Sequence, residues 1–182
     1  MGMDIEQEEQ LIEDSKKDPQ AFERLYIKYY DQILRFVYKR MESLDDTRDI
    51  TSTVFTKALS NISKYKHMGF PFSSWLYRIA VNEINMFYRR SEKTRIISLS
   101  DRGMKNIASE SNEENEELIA VLKESLLFLN PDELLLIELR FFEERPFAEI
   151  GEILDVTENN AKVKTYRVLD KLREIYNKVT LE

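Results

Sequence analysis

The chain has 182 residues, room for one ordinary domain or two small ones, and its 42% hydrophobic and 34% charged content suits a soluble protein with long exposed helical faces. It has no cysteine, which excludes disulfides, zinc–thiolate sites and thiol catalysis, and apolar runs such as Leu134–Leu139 are far too short to span a bilayer. The net charge of −7 argues against an autonomous nucleic-acid binder, and four Gly and four Pro are fewer than sheet-rich folds usually carry, which favours helices and an all-α fold.

The acidic stretch Met1–Asp18 lacks a signal-peptide pattern, so a cytoplasmic location without direct membrane insertion is expected. Within it, Ile5–Lys16 reads as a short acidic amphipathic helix. Asp18-Pro19 marks the next helix start, because Asp is a good N-cap and Pro is tolerated in the first turn. From Ala21 to Met41, Phe22, Leu25, Tyr26, Tyr29, Ile33, Phe36, Val37 and Tyr38 recur at three- and four-residue spacing and predict one long helix with an apolar stripe. Ser43–Asp46 resembles a cap, and a helix is predicted over Asp45–Ile62. Gly69 and Pro71 break the pattern in Lys64–Pro71, which reads as a loop. A third long helix is predicted over Phe72–Arg90, and together these helices suffice for a bundle.

From Ile97 to Glu117 the periodicity disappears into Ser, Asn and acids, an exposed linker and the best domain boundary in the chain. The expected division is 1–96, 97–117 and 118–182. The third part begins with the apolar stretch Leu118–Leu129. Asn130-Pro131-Asp132 then caps a helix over Pro131–Phe142, followed by a short helix over Phe147–Leu154 and a long one over Glu158–Val179.

The turn Asp155-Val156-Thr157 between the last two helices has helix-turn-helix spacing, with Gly151 permitting close approach and Thr157 capping the second helix. In such a motif the second helix enters the major groove, and Asn160, Lys162, Lys164, Arg167 and Lys171 offer amide and cationic donors to bases and phosphates. An ordinary helical hairpin with a solvated charged face is the competing reading.

In the first part, aromatic and basic residues interleave from Trp75 to Arg95, the kind of mixture that holds single-stranded nucleic acid. Trp75, Leu76, Ile79 and Phe87 are expected in the core, whereas Tyr88, Arg89 and Arg90 sit at a helix end beside further bases. The single His67 lacks the Cys and clustered acids a metal site needs, and is expected as an exposed loop residue.

Two ordered blocks together resemble the extracytoplasmic-function sigma factors of bacterial RNA polymerase. The first comprises Ala21–Tyr26, Asp46–Phe55 (DTRDITSTVF) and Phe72–Asn82; the second comprises Leu129–Pro131 and Phe147–Leu172. The resemblance covers nearly the whole chain. It implies a sigma domain 2 that docks on the polymerase clamp and opens the −10 element, and a sigma domain 4 that reads the −35 element. The implied polymerase contacts are Asp46, Asp49, Ile50, Ser52 and Thr53. The implied −10 contacts are Lys64, His67, Phe70, Arg78, Asn82, Tyr88, Arg89, Arg90 and Lys93, with the Lys64–Pro71 loop receiving a base turned out of the stack. The implied partners are core RNA polymerase, promoter DNA and an anti-sigma factor.

The family commonly has Gln and Glu where Ser52 and Thr53 stand, Leu where Thr165 stands and a base where Asp170 stands, which leaves the strength of the polymerase and −35 contacts open. A helix-turn-helix regulator that never engages polymerase, and a sigma-like decoy, are the competing functions. No catalytic residues, cofactor, metal or small-molecule substrate is expected, since one His, no Cys and no phosphate-cradling loop leave no catalytic constellation.

Overall fold

Four side chains at helix starts do much to set the boundaries in the computed structural model, which describes residues 5–91 and 113–180. The chain divides into two compact units. In the first, α1 spans Ile5–Lys17 and its buried residues Glu8, Leu11, Ile12 and Ser15 form one stripe. Asp18 accepts a hydrogen bond from the Gln20 N–H at 2.9 Å and starts a 3-10 turn over Pro19–Ala21. That turn leads into α2, Phe22–Tyr38. Ser43 Oγ accepts from the Asp45 and Asp46 amides at 3.1 and 3.3 Å and caps α3, Leu44–Asn61. A 3-10 turn, Ile62–Lys64, precedes the loop, and α4 runs over Phe72–Ser91.

The core of this unit is built where α2, α3 and α4 meet. Leu25, Ile33, Phe36, Val54, Ala58, Phe72, Leu76, Tyr77 and Ile84 are all buried there. Phe36 meets Tyr77 edge to face at 4.6 Å. The predicted helix over Ala21–Met41 ends earlier, at Tyr38, because the chain tightens to i→i+3 bonds at Arg40 and Met41. This turn carries Arg40 inward. Its guanidinium is fully buried, lies 3.6 Å over the Phe36 ring and donates to the Phe36 carbonyl at 2.7 Å.

In the second unit, α5 spans Glu113–Leu127, so helix already occupies the last part of the segment expected as linker. Asn130 and Glu133 form a reciprocal capping box at the start of α6, Pro131–Ile137. The single helix predicted over Pro131–Phe142 is in fact α6 followed by a π-helical turn, Glu138–Phe142. That turn closes with bonds from Glu143 N to the Glu138 carbonyl and from Arg145 N to the Leu139 carbonyl, both 2.9 Å, and leaves Glu144 left-handed at φ 54°. Helix α7, Phe147–Leu154, and helix α8, Glu158–Val179, follow. Leu126, Leu135, Leu139, Ile150, Ala161 and Val168 are buried in the core of this unit.

The turn between α7 and α8 explains the spacing read from the sequence. Asp155 is left-handed at φ 56°, and the Val156 N–H donates back to the Gly151 carbonyl at 2.9 Å, the six-to-one bond of a Schellman ending. A Cβ on Gly151 would lie 2.8 Å from the Val156 carbonyl oxygen, closer than real Cβ atoms come. Thr157 Oγ1 accepts from the Asn160 N–H at 3.2 Å and caps α8.

Candidate functional site

Helix α8 separates its residues cleanly by face. Ala161, Thr165, Val168 and Leu172 are buried at helical spacing, while Asn160, Lys162, Lys164 and Arg167 are exposed. Thr165 fits the small buried slot by donating its hydroxyl to the Ala161 carbonyl at 2.9 Å. Lys171 lies further along α8 in a different setting. Its ammonium is 2.7 Å from Glu133, so it ties α8 to α6 and its charge is already matched. Burial pushes the Glu133 carboxyl up, but the Lys171 ammonium and the Asn130 N–H outweigh it and hold it below its ordinary range. The exposed Asn159 and Tyr166 extend the same helix surface, and periodicity around Asn160 would have found them.

In the first unit, α3, the loop and α4 bring Lys57, Asn61, Lys64, Lys66, Arg78 and Asn82 to one face. Lys57, Asn61 and Lys66 were not singled out from the sequence, though Lys57 and Asn61 lie one turn apart on α3 and lead into the loop. Lys57 pairs with Glu83 of α4 at 2.5 Å, so part of the cationic character is neutralised. Tyr65 packs on Trp75 at 4.7 Å and meets Phe72 edge to face at 5.4 Å. Burial, with the Glu8 carboxylate adding to it, pushes the Tyr65 phenol up to about 12, so the group is neutral at physiological pH. His67 and Phe70 are half-buried, and His67 Nδ1 is buried without a hydrogen-bond partner. The expected exposed histidine is therefore partly enclosed by its loop.

Tyr88 does not belong to the exposed group. It is buried, and its hydroxyl donates to the Arg40 carbonyl at 2.5 Å, so it closes the core where α2 ends instead of presenting a ring for stacking. Arg89 and Arg90 beside it are exposed at the C-terminal end of α4, where the helix dipole favours cations. Lys93 lies outside the described residues. Trp75, Ile79 and Phe87, expected in the core, are only half-buried, whereas Leu76 is fully buried.

On α3, Asp49 and Ser52 are exposed, and Asp46 and Thr53 half-exposed. The Thr53 hydroxyl donates to the Asp49 carbonyl at 2.8 Å. Ile50 is 7% exposed and packs into the bundle, so the outward chemistry of this helix rests on its neighbours. Two surface depressions flank α3. One, of 420 Å³, is lined by Asp49, Thr53, Phe87 and Arg90; the other, of 550 Å³, by Phe22, Tyr26, Ser52 and Leu59. Among the described residues, no three His, Cys, Asp or Glu side chains are grouped to hold a metal ion. Nor is any described helix long and apolar enough to cross a membrane.

Comparison with known proteins places both units. Residues 25–94 match the family model "Sigma-70 region 2" and residues 126–174 match "Sigma-70, region 4". The chain is 28% identical over 158 residues to the ECF RNA polymerase sigma factor BldN of Streptomyces coelicolor, covering 85% of this chain and 60% of that protein. It is 26% identical to the RNA polymerase sigma factor YlaC of Bacillus subtilis, covering 87% of this chain and 97% of the relative. The solved structure of CnrH in complex with the cytosolic domain of CnrY shares the fold, with a TM-score of 0.60 at 17% identity over 94% of this chain and 97% of that one. With regions 2 and 4 matched in order and extracytoplasmic-function relatives spanning most of its length, the chain belongs to the sigma-70 family of RNA polymerase sigma factors, in its extracytoplasmic-function group.

Proposed function

We propose that this chain binds core RNA polymerase and directs it to promoters, performing no catalysis of its own and working in the cytoplasm. The observation that carries the reading is the union in one chain of both sigma-70 regions with a capped helix-turn-helix whose second helix exposes Asn160, Lys162, Lys164 and Arg167. In this reading α8 enters the major groove of the −35 duplex, where amide and guanidinium groups suit base edges and lysines suit phosphates. The exposed edge of α3, with Asp46, Asp49, Ser52 and Thr53, faces polymerase. The Lys64–Pro71 loop, with Arg78 and Asn82, takes the −10 strand and one base turned out of its stack. Arg89 and Arg90 hold its backbone. The proposed working division is 1–96 for polymerase and the −10 element, 97–117 as linker and 118–182 for the −35 element. An anti-sigma protein that covers the polymerase-facing surfaces is a further proposed partner.

A sigma factor leaves nucleotide addition to polymerase, which fits a chain whose exposed polar groups suit binding. The net charge of −7 fits as well, because local basic faces touch DNA while polymerase supplies the remaining affinity. Co-elution with bacterial core polymerase, followed by transcription with Arg167→Ala, tests the reading. The protein is expected to co-elute, and the substitution to lower promoter-dependent transcription about tenfold without changing core binding. Failure to co-elute would instead favour a regulator that acts without polymerase, and co-elution without transcription a decoy.

A further inference from the structure

Helix α1 precedes the residues matched by the sigma-70 region 2 model, yet it supplies a carboxylate buried in the heart of the first unit. Glu8 is 3% exposed. One of its oxygens accepts from the Lys28 ammonium at 2.6 Å and from the Tyr29 hydroxyl. The other accepts from the Phe72 backbone N–H at 2.7 Å. Phe72 is the first residue of α4, and the residue before it is Pro71, whose side chain has no acceptor. A helix start leaves amides that need one. Glu8 fills this role from 64 positions away in the sequence, and its negative charge also suits the positive end of the helix dipole.

The consequence reaches the loop. Phe72 packs on Tyr65 at 5.4 Å and on Trp75 at 5.4 Å, so the residue held by Glu8 is also a wall for the loop's aromatic anchor. Helix α1 packs against the 3-10 turn Ile62–Lys64 as well, so one helix meets the loop at both of its ends. Between those ends Tyr65, His67, Phe70 and Pro71 are half-buried and the other side chains face outward. Lys64, Lys66 and Met68 are exposed, and Gly69 sits at φ 79° with open space around it.

We infer that Glu8 is a positioning residue for the Lys64–Pro71 loop, capping α4 from α1 so that the loop keeps the geometry needed to select a base of the −10 strand. The inference rests on the sigma reading for its function, but the positioning itself can be read in the free protein. Glu8→Gln keeps the size and an acceptor oxygen while removing the charge. Tyr29→Phe removes one donor to Glu8 without touching the bond from Phe72, and serves as the control.

Hydrogen exchange on the free full-length protein gives the first readout. Amides of residues 65–72 are expected to exchange about tenfold faster in Glu8→Gln, with those of α2 and α3 unchanged relative to Tyr29→Phe. Unchanged loop exchange would overturn the positioning role whatever the protein does with polymerase. The second readout is open-complex formation with bacterial core polymerase on promoters carrying single-base changes in the −10 element. Glu8→Gln is expected to bind core as the wild type does yet lose about tenfold in discrimination among −10 bases, while Tyr29→Phe retains it. Equal discrimination by both variants would overturn the inference. A wild-type protein that opens no promoter would sink the sigma reading instead, with the exchange result still deciding the positioning role.

Discussion

At the scale of single residues, the first unit depends on two charged side chains that its sequence pattern disguises. Glu8 and Arg40 each fall on an apolar stripe, with Leu11, Ile12 and Ser15 in one case and Phe36 and Val37 in the other. Glu8 sits in an acidic helix and Arg40 near a helix end, settings in which a charge is usually solvated. The stripe was the available signal, and charge outweighed it. Burial pushes the Glu8 carboxyl up, but hydrogen bonds from Lys28, the Phe72 N–H and Tyr29 outweigh it and hold it below the ordinary range. A folded-state pKa below the unfolded one contributes stability that is present above the unfolded value, about 4.3, and lost as pH falls through the folded value. Glu8→Gln is therefore expected to cost about 2 kcal/mol near neutral pH, a difference that shrinks toward zero in acid. Paired denaturant titrations from neutral to acid pH measure it, and a gap independent of pH would show that the carboxylate charge is not what matters. Tyr88 stands beside Arg89 and Arg90 in the sequence, yet it is buried and its hydroxyl donates to the Arg40 carbonyl.

At the scale of elements, helix starts were more legible than helix ends. Asp18, Ser43, Asn130 and Thr157 all cap as their residue types suggest, because an N-cap acts through a side chain that is visible in sequence. The ends rest on backbone geometry, which is why the turn after Tyr38 and the π turn Glu138–Phe142 escaped the periodicity. The helix-turn-helix was legible because its constraints sit on few residues. Gly151 is the sharpest of these, since helix propensity alone favours Ala there by about 1 kcal/mol. The Cβ of an alanine would nevertheless meet the Val156 carbonyl at 2.8 Å, which is backbone that cannot rotate away. Gly151→Ala is expected to destabilise the second unit by about 1–3 kcal/mol and to weaken −35 binding by shifting α8. A thermal melt reads the first effect, and a variant as stable as the wild type would contradict the close approach.

At the scale of the whole molecule, ordered blocks of residues made the family recognisable, and the family models match residues 25–94 and 126–174. The acidic balance, which at first argues against DNA binding, fits a protein whose DNA contacts are local and whose affinity is shared with a large partner. Which side chains turn outward was less legible than the fold, because exposure follows from packing. Ile50 turns in, Lys171 pairs with Glu133, and Lys57 and Asn61 join a basic face that no linear motif marks. The most direct test of the sigma reading is run-off transcription by core RNA polymerase from a genomic fragment library, with and without the purified protein. Discrete transcripts that start at shared −35 and −10 elements and require the protein are the predicted result. An unchanged transcript pattern from a protein that does not bind core polymerase would contradict it.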